Sequence, residues 1–174
     1  MPLTADDILR AFDALAEELS LRNERARIVI AGGAALVLLF NARESTKDVD
    51  AYIVSPTASV VRDAVAEVAT TLDLPHDWLN DAAKGYFVGL SFGAPLYESP
   101  SLAVSSVTTA QLLAMKLAAW RDAVDRADAQ LLLTSMEGSR EQIWDIVHRY
   151  VPSHDLQKAS YAFEDLWEVL NGSP

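Results

Sequence analysis

A β-branched run that ends in two glycines, followed fifteen residues later by two aspartates, restricts the fold of this chain more than any other feature. Residues 27–31 read Arg-Ile-Val-Ile-Ala, which predicts a short buried strand. Gly32 and Gly33 predict a tight turn, and the apolar residues after them, up to Phe40, predict a buried helix. Residues 48–54 alternate polar and apolar side chains before becoming wholly apolar, which predicts a second strand entering a sheet.

The two aspartates at the start of that second strand, Asp48 and Asp50, have the spacing of a metal-binding pair. On a strand, side chains two residues apart point to the same face, with β-carbons roughly 6.5–7 Å apart. Mg²⁺ is a hard ion that takes oxygen ligands and leaves positions for water and substrate phosphates. The backbone N–H groups at Gly32 and Gly33, at the positive end of the helix, favour a phosphate. The combination predicts a triphosphate site that presents the α-phosphorus for in-line attack.

Each half of this pattern also has a simpler explanation. A glycine pair after a strand is usually only a turn, and an isolated Asp-x-Asp is more often a solvated strand end than a metal site. The ordered succession of strand, glycine pair, apolar helix, short basic loop and Asp-x-Asp strand is much less common by chance. We therefore favour the metal and nucleotide interpretation.

The remaining hydrophobic pattern mixes helical and strand periods. Thr4 predicts the cap of a first helix, and a further helix is predicted after Pro56. Residues 73–85 look irregular, and two more strands are predicted at 86–92 and 102–107, separated by a turn rich in Gly, Pro and Ser. The predicted C-terminal elements are a long helix over residues 108–133 and two tail helices at 140–150 and 156–170.

These elements predict an α+β fold in which a small mixed sheet of about four strands is flanked by helices. No repeat, low-complexity tract or linker interrupts the chain, so residues 1–174 are predicted to form a single domain. Within it, residues 24–110 form the α/β core and residues 111–174 form a C-terminal helical part packed on that core. The apolar positions of the tail helices suit a dimer interface or an internal core equally well, so the oligomeric state stays open.

Composition and charge exclude several classes of protein. Fourteen Lys and Arg against 25 Asp and Glu give a net charge of −11, whereas a protein that coats DNA needs clustered cations, so we expect no broad DNA binding. The absence of cysteine excludes disulfides, thiolate metal sites and cysteine nucleophiles. The N-terminus has no secretory pattern, and the longest apolar stretch, residues 28–40, is too short to span a bilayer. We expect a cytoplasmic protein without a membrane partner.

Two motifs of the chain resemble a known superfamily. Residues 30–36, Ile-Ala-Gly-Gly-Ala-Ala-Leu, and 43–50, Arg-Glu-Ser-Thr-Lys-Asp-Val-Asp, resemble the nucleotidyltransferases with the DNA polymerase β-like minimal fold. The motif is most similar to uncharacterised bacterial nucleotidyltransferase-like proteins related to the AbiEii/MenT toxins of toxin–antitoxin systems. Residues 78–81 and 112–128 are similar to further elements of those relatives. The resemblance covers roughly residues 25–133 and implies a nucleotidyltransferase-like core.

The resemblance implies roles for individual residues of this chain. Gly32 and Gly33 would face the phosphates of a nucleoside triphosphate, and Asp48 and Asp50 would hold Mg²⁺ or Mn²⁺. The further residues that would bind the nucleotide are Arg43, Ser45 and Lys47 on the connecting loop and Lys116 on the long helix. The simpler interpretation of these cations is solvent exposure, and Arg121 with Asp125 fits an ordinary helical ion pair.

Active members of the superfamily usually add a third carboxylate from a neighbouring strand, and neither 86–92 nor 102–107 contains an acid. Asp77, Asp81 and Glu98 are the acids nearby, and each would have to act from a loop. We predict that Asp81 is the third catalytic residue and accepts the proton of the attacking hydroxyl. The alternative is that Asp81 belongs to a turn or a helix cap.

Three functions follow from these observations. The first is a metal-dependent enzyme that transfers a nucleoside monophosphate to a hydroxyl of an RNA, a protein or a small molecule, as a toxin–antitoxin component with a cognate toxin or antitoxin as partner. The second is a catalytically degenerate relative that serves as a nucleotide-binding or protein-interaction module. The third is an α+β domain without this chemistry, whose apolar tail helices dimerise.

Overall fold

Strand β2 (Ala26–Ala31) lies at the centre of a five-stranded mixed sheet, as its buried β-branched residues predict. The structure is a computed structural model and describes residues 2–172. The order across the sheet is β5 (Leu79–Asn80), β4 (Val49–Ser55), β2, β7 (Leu102–Ser106) and β6 (Pro95–Glu98). Strand β2 is antiparallel to β4, and β6 is antiparallel to β7. Strand β2 is parallel to β7, and β4 is parallel to β5. This mixed sheet confirms the predicted α+β class.

A second, two-stranded sheet pairs β1 (Leu3–Thr4) with β3 (Ser45–Thr46). The α-helices of the described residues are α1 (Ala5–Leu21), α2 (Gly32–Phe40), α3 (Ala58–Leu72), α4 (Thr109–Ala119), α5 (Ala123–Thr134), α6 (Arg140–Val147) and α7 (Leu156–Asn171). Three short 3₁₀ helices lie at Ala82–Tyr86 after β5, at His148–Tyr150 after α6 and at Ser153–Asp155 directly before α7.

The chain groups into two compact units. The first contains the residues through Gly85 together with Phe92–Val107, and therefore both sheets. The second contains Tyr86–Ser91 and the residues from Thr108 onward, and therefore α4 to α7. The grouping of the whole chain into one domain stays a prediction.

Helix α1 begins where Thr4 predicts it. The Thr4 hydroxyl accepts the Asp7 N–H at 3.2 Å, and the Asp7 carboxylate accepts the Thr4 N–H at 3.0 Å, so the two residues cap each other. The apolar face of α1 is buried, and the ring of Phe12 packs against those of Trp78 and Tyr97 with centroids 6.4 and 5.8 Å away. Burying a side chain of this size stabilises the fold by about 1.5–3 kcal/mol, so α1 anchors the core of the first unit.

The strand predicted at residues 86–92 is wrong. The backbone of this segment forms hydrogen bonds with the side chain of Gln111 and not with a neighbouring strand. The Ser91 N–H donates to Gln111 Oε1 at 2.9 Å, and Gln111 Nε2 donates to the Gly89 carbonyl at 3.1 Å. Gly89 also has a φ of +68°, which a regular strand does not allow. The strand of this region is β6, which lies inside the segment predicted as a turn and takes the place of the predicted strand. The fifth strand of the sheet is β5, which was not predicted.

The long helix predicted over residues 108–133 is broken into α4 and α5. Trp120 takes a left-handed conformation with φ of 38°, which ends α4. The Asp122 carboxylate then accepts the N–H groups of Val124 and Asp125 and caps α5. The irregular segment expected at 73–85 contains the two-residue strand β5, and the tail helix predicted at 140–150 ends as a 3₁₀ turn after Val147.

Candidate functional site

The predicted aspartate pair lies at the start of β4, where Asp48 directly precedes the strand and Asp50 is its second residue. Asp50 pairs with Ala31, the last residue of β2, so its side chain lies beside the start of α2. Gly32 begins that helix with φ of +64°, and a β-carbon there would lie 2.5 Å from Asp50 Oδ2. The carboxylate therefore occupies the space of the missing side chain, and the glycine and aspartate halves of the motif are in contact.

The second glycine of the pair is equally close to the connecting loop. A β-carbon at Gly33 would overlap Thr46 Oγ1 and lie 3.6 Å from Arg43 Nη1. Ala31, which precedes α2, supplies no side-chain cap to the first N–H groups of the helix. The structure thus brings Arg43 and Thr46 to the start of α2. Arg43 was predicted from the sequence, whereas Thr46 was not.

The loop that connects α2 to β4 is held by the small sheet. Leu3 pairs with Thr46 and Thr4 pairs with Ser45, so the N-terminal strand fixes the backbone at both positions. Thr46 Oγ1 also donates to the Asp48 carbonyl at 3.2 Å. Ser45 is half-buried in this strand, while Lys47 is exposed beside Asp48. The predicted contacts of Ser45 and Lys47 with a nucleotide stay predictions.

Asn80 is a site neighbour that the sequence prediction missed. Strand β5 pairs with β4 so that Asn80 lies opposite Asp50, and Asn80 Nδ2 donates to Asp48 Oδ2 at 3.4 Å. Asn80 Oδ1 accepts the Ala82 N–H at 3.0 Å, which fixes the orientation of the carboxamide. The sequence signal for Asn80 is the apolar pair Trp78-Leu79 directly before a polar residue, within the segment 78–81 that resembles the superfamily.

Asp81, the predicted third acid, forms an ion pair with Arg62 of α3. Arg62 donates to both carboxylate oxygens, with Nη2 to Oδ2 at 2.6 Å and Nε to Oδ1 at 3.3 Å. The hydrogen bond from Arg62 holds the pKa of Asp81 below its usual value, against the opposing effect of partial burial. The carboxylate is therefore kept ionised, and its role as a base stays a prediction.

Among residues 2–172, neither of the strands paired with β4 supplies a further acid to the pair. Val29 and Ala31 point to the same face of β2, and Asp50 lies opposite Ala31. Ser105 of β7 lies opposite Val29, so on this face β7 presents a hydroxyl group and not a carboxylate. Within residues 2–172, no three His, Cys, Asp or Glu side chains come together as a metal-binding group. Glu98 ends β6 opposite Ala103, near the other end of β2.

Lys116 belongs to the second unit, where it is engaged with two buried aspartates. Its Nζ lies 3.0 Å from Asp125 Oδ1 and 2.8 Å from Asp128 Oδ2, and the two carboxylate side chains are only 3% and 6% exposed. Arg121 donates from its backbone N–H and its Nε to Asp125 Oδ2. The ion pair between Arg121 and Asp125 is therefore present, but Arg121 lies in the break between α4 and α5 and not on a helix. The contact of Lys116 with a nucleotide stays a prediction.

A sequence profile of the family described as "nucleotidyltransferase of unknown function (DUF6036)" matches residues 7–99, just over half of the chain. The chain belongs to this family. The matched region contains the glycine pair, Asp48, Asp50 and Asn80.

Neither the curated proteins nor the solved structures contain a match to this chain. The finer relation to AbiEii/MenT toxins therefore stays a prediction. None of the helices formed by residues 2–172 is long and apolar enough to cross a membrane.

Proposed function

We propose that this protein transfers a nucleoside monophosphate from a nucleoside triphosphate to a hydroxyl group and releases pyrophosphate. The observation that carries the proposal is the contact between Gly32 and Asp50, because it puts a helix start suited to phosphate beside a carboxylate suited to a metal. The family supports the general reaction.

The donor set fits Mg²⁺ or Mn²⁺. Asp48 and Asp50 supply two hard carboxylate oxygens, and Mg²⁺ in enzymes of this kind is typically held by one or two carboxylates together with substrate phosphates. Bound there, the ion would neutralise charge on the phosphates and polarise the α-phosphorus. The hydrogen bond from Asn80 to Asp48 supports the proposal, because it fixes one of the two carboxylates without adding negative charge.

The remaining residues bind and orient the substrate. The backbone at Gly32 and Gly33 and the guanidinium of Arg43 would bind the phosphates, since all three lie at the start of α2. The acceptor oxygen forms a bond to the α-phosphorus while the bond to the bridging pyrophosphate oxygen breaks. The proton of the acceptor hydroxyl passes to a base, for which we propose Asp81.

The arrangement of acidic residues at the site favours a second function. A third carboxylate is missing beside Asp48 and Asp50 among residues 2–172, and Asp81 is already paired with Arg62. A nucleotide-binding module without turnover, acting with a cognate toxin or antitoxin as partner, is consistent with this arrangement. Such a module would bind a nucleoside triphosphate without releasing pyrophosphate.

The experiment compares the wild-type protein with Asp48→Asn/Asp50→Asn. Each variant is incubated with α-labelled nucleoside triphosphates, Mg²⁺ or Mn²⁺, and RNA, protein and small-molecule fractions of a cell extract. The proposal expects label on one fraction with the wild type and none with the variant, because the paired carboxylates are gone.

The matched control is Asp63→Asn/Asp145→Asn, which removes the same charge from two exposed helical positions. It should retain transfer. Transfer by Asp48→Asn/Asp50→Asn at the wild-type rate would overturn the proposal. Metal-dependent nucleotide binding without any transfer by the wild type would favour the second function.

A further inference from the structure

A groove of about 250 Å³ lies on the five-stranded sheet, within the first unit. Its floor is formed by central strands β2 and β7, and its charged and aromatic lining residues are Arg25, Arg27, Phe92 and Glu98. None of these four residues belongs to the nucleotide site described above. The groove is therefore separate from the nucleotide site.

The groove and the aspartate pair share one face of the sheet. Arg27, Val29 and Ala31 alternate with the core residues of β2 and so point to the same face, and Asp50 lies opposite Ala31. Arg27 and Ala31 are four positions apart on β2, which is about 13 Å along the strand. A nucleic acid strand with stacked bases covers that distance in roughly four nucleotides.

The charged side chains of the groove are two arginines and one glutamate, so positive charge is in excess there. Arg25 and Arg27 are both exposed, and neither forms an ion pair or a side-chain hydrogen bond within residues 2–172. Acidic residues outnumber basic residues 25 to 14 in this chain, and Arg10, Arg22, Arg62 and Arg140 are all paired with carboxylates. Two adjacent unpaired arginines are thus an anion-binding feature that the composition does not predict.

An aromatic ring and an acceptor complete the lining. The guanidinium of Arg27 lies 5.7 Å from the ring centre of Phe92, whose side chain is 52% exposed, so the ring offers a face for stacking. Glu98 repels phosphate but accepts hydrogen bonds from base amino groups or sugar hydroxyls. Cations, an exposed ring and a hydrogen-bond acceptor together match a nucleotide unit better than an acidic peptide.

We infer that this groove binds a single-stranded nucleic acid, whose terminal hydroxyl extends along β2 toward Asp48 and Asp50 as the acceptor of the transfer. Only the role of the terminal hydroxyl as acceptor rests on the proposed function; binding of the nucleic acid in the groove does not. Arg25 and Arg27 bind backbone phosphates, and Phe92 stacks on a base. Because only two cations contribute, affinity comes from this short segment and not from a broad basic surface.

The test measures binding of a short fluorescent single-stranded RNA, and of DNA of the same sequence, by anisotropy. Arg25→Gln/Arg27→Gln should lower the affinity about tenfold or more and make the slope of log affinity against log salt shallower by about 1.4, since each phosphate contact contributes about 0.7. Phe92→Leu keeps an apolar side chain without the ring and should lower the affinity about tenfold.

Two controls make the result specific. Arg10→Gln/Arg140→Gln removes the same charge from two arginines that are already ion-paired, and should bind like the wild type. Asp48→Asn/Asp50→Asn should also retain nucleic acid binding, because the groove does not include these residues. Equal losses in the two arginine variants would mean that net charge alone sets the affinity, and would overturn the inference.

Further outcomes separate this inference from the proposed function. Binding that depends on Arg25 and Arg27, without nucleotide transfer, would retain the groove as a nucleic-acid site and reject the transfer. Transfer to nucleic acid that is unaffected in Arg25→Gln/Arg27→Gln would retain the enzyme and reject the groove. Competition by an acidic peptide at the same concentration as RNA would reject nucleic acid as the ligand.

Discussion

At position 32, the backbone angle and the neighbouring carboxylate of Asp50 both require glycine. A φ of +64° is readily available only to glycine, and Asp50 Oδ2 occupies the volume that a β-carbon would need. The sequence predicted the glycine pair as a phosphate-binding turn, but it did not indicate that the aspartate would lie against it. That contact depends on the register between β2 and β4, which the pattern of apolar residues does not specify to the single residue.

Gly32→Ala should destabilise the protein and weaken metal-dependent nucleotide binding. The left-handed conformation costs a residue with a β-carbon about 1–2 kcal/mol, and Asp50 must also move away. Urea unfolding measures the first effect, and titration with Mg²⁺ and a nucleoside triphosphate measures the second. Gly85→Ala is the control, because a β-carbon there meets no atom within 4 Å. Equal results for the two variants would contradict the prediction.

Arg62→Gln should raise the pKa of Asp81 toward its ordinary value, because the hydrogen bond from Arg62 is the main cause of the lowered pKa. A carboxyl whose pKa is lowered by folding stabilises the protein above its unfolded pKa, and this contribution is lost as the pH falls through the folded pKa. The stability difference between wild type and variant should thus be present at neutral pH and disappear in acid.

This difference should not exceed about 1 kcal/mol, since the Arg62 side chain is 61% exposed and solvent screens the pair. A carbon-13 titration of the Asp81 carboxyl measures its pKa directly. Arg10→Gln should leave that titration unchanged, because Arg10 pairs with Asp7 instead. An unchanged Asp81 titration in Arg62→Gln would refute the prediction.

At the scale of elements, the predictions failed where a side chain replaced a backbone partner. Residues 86–92 have the apolar pattern of a strand, yet Gln111 binds their backbone from helix α4. Residues 108–133 have the period of one helix, yet Trp120 and Asp122 end it and start another. The first outcome depends on a tertiary contact, whereas the second depends on a local cap at Asp122 that the continuous helical period conceals. Elements α1, β2 and β4 follow from local pattern and capping residues alone.

The break between α4 and α5 is accompanied by a buried charge cluster. Lys116→Met should reduce the free energy of unfolding by about 3–5 kcal/mol, because it leaves the buried carboxylates of Asp125 and Asp128 without their shared cation. Urea unfolding followed by circular dichroism measures the change. Lys116→Met/Asp125→Asn/Asp128→Asn, which also removes both negative charges, should recover much of the loss. A single variant as stable as the wild type would contradict a structural role for this cluster.

At the scale of the whole molecule, the sequence predicted the fold class and the central motif but not the immediate surroundings of the site. Asn80 and Arg62 come from two other segments, and their distance from the aspartates along the chain conceals their role. The two unpaired arginines of the groove were hidden by a strongly acidic composition. Pairing across strands and the local absence of a counter-charge are three-dimensional properties, so a linear pattern does not carry them.

The four tryptophans are divided unequally between the two units. Trp120, Trp144 and Trp167 lie in the second unit, while Trp78 alone lies in the first, fully buried, with its carbonyl accepting the Val49 N–H at 2.7 Å. A chain in which the other three are phenylalanine therefore has one indole fluorophore, hydrogen-bonded through its backbone to the strand that carries Asp50. Its emission would report events at that strand optically, without a label attached to the protein or to the nucleotide.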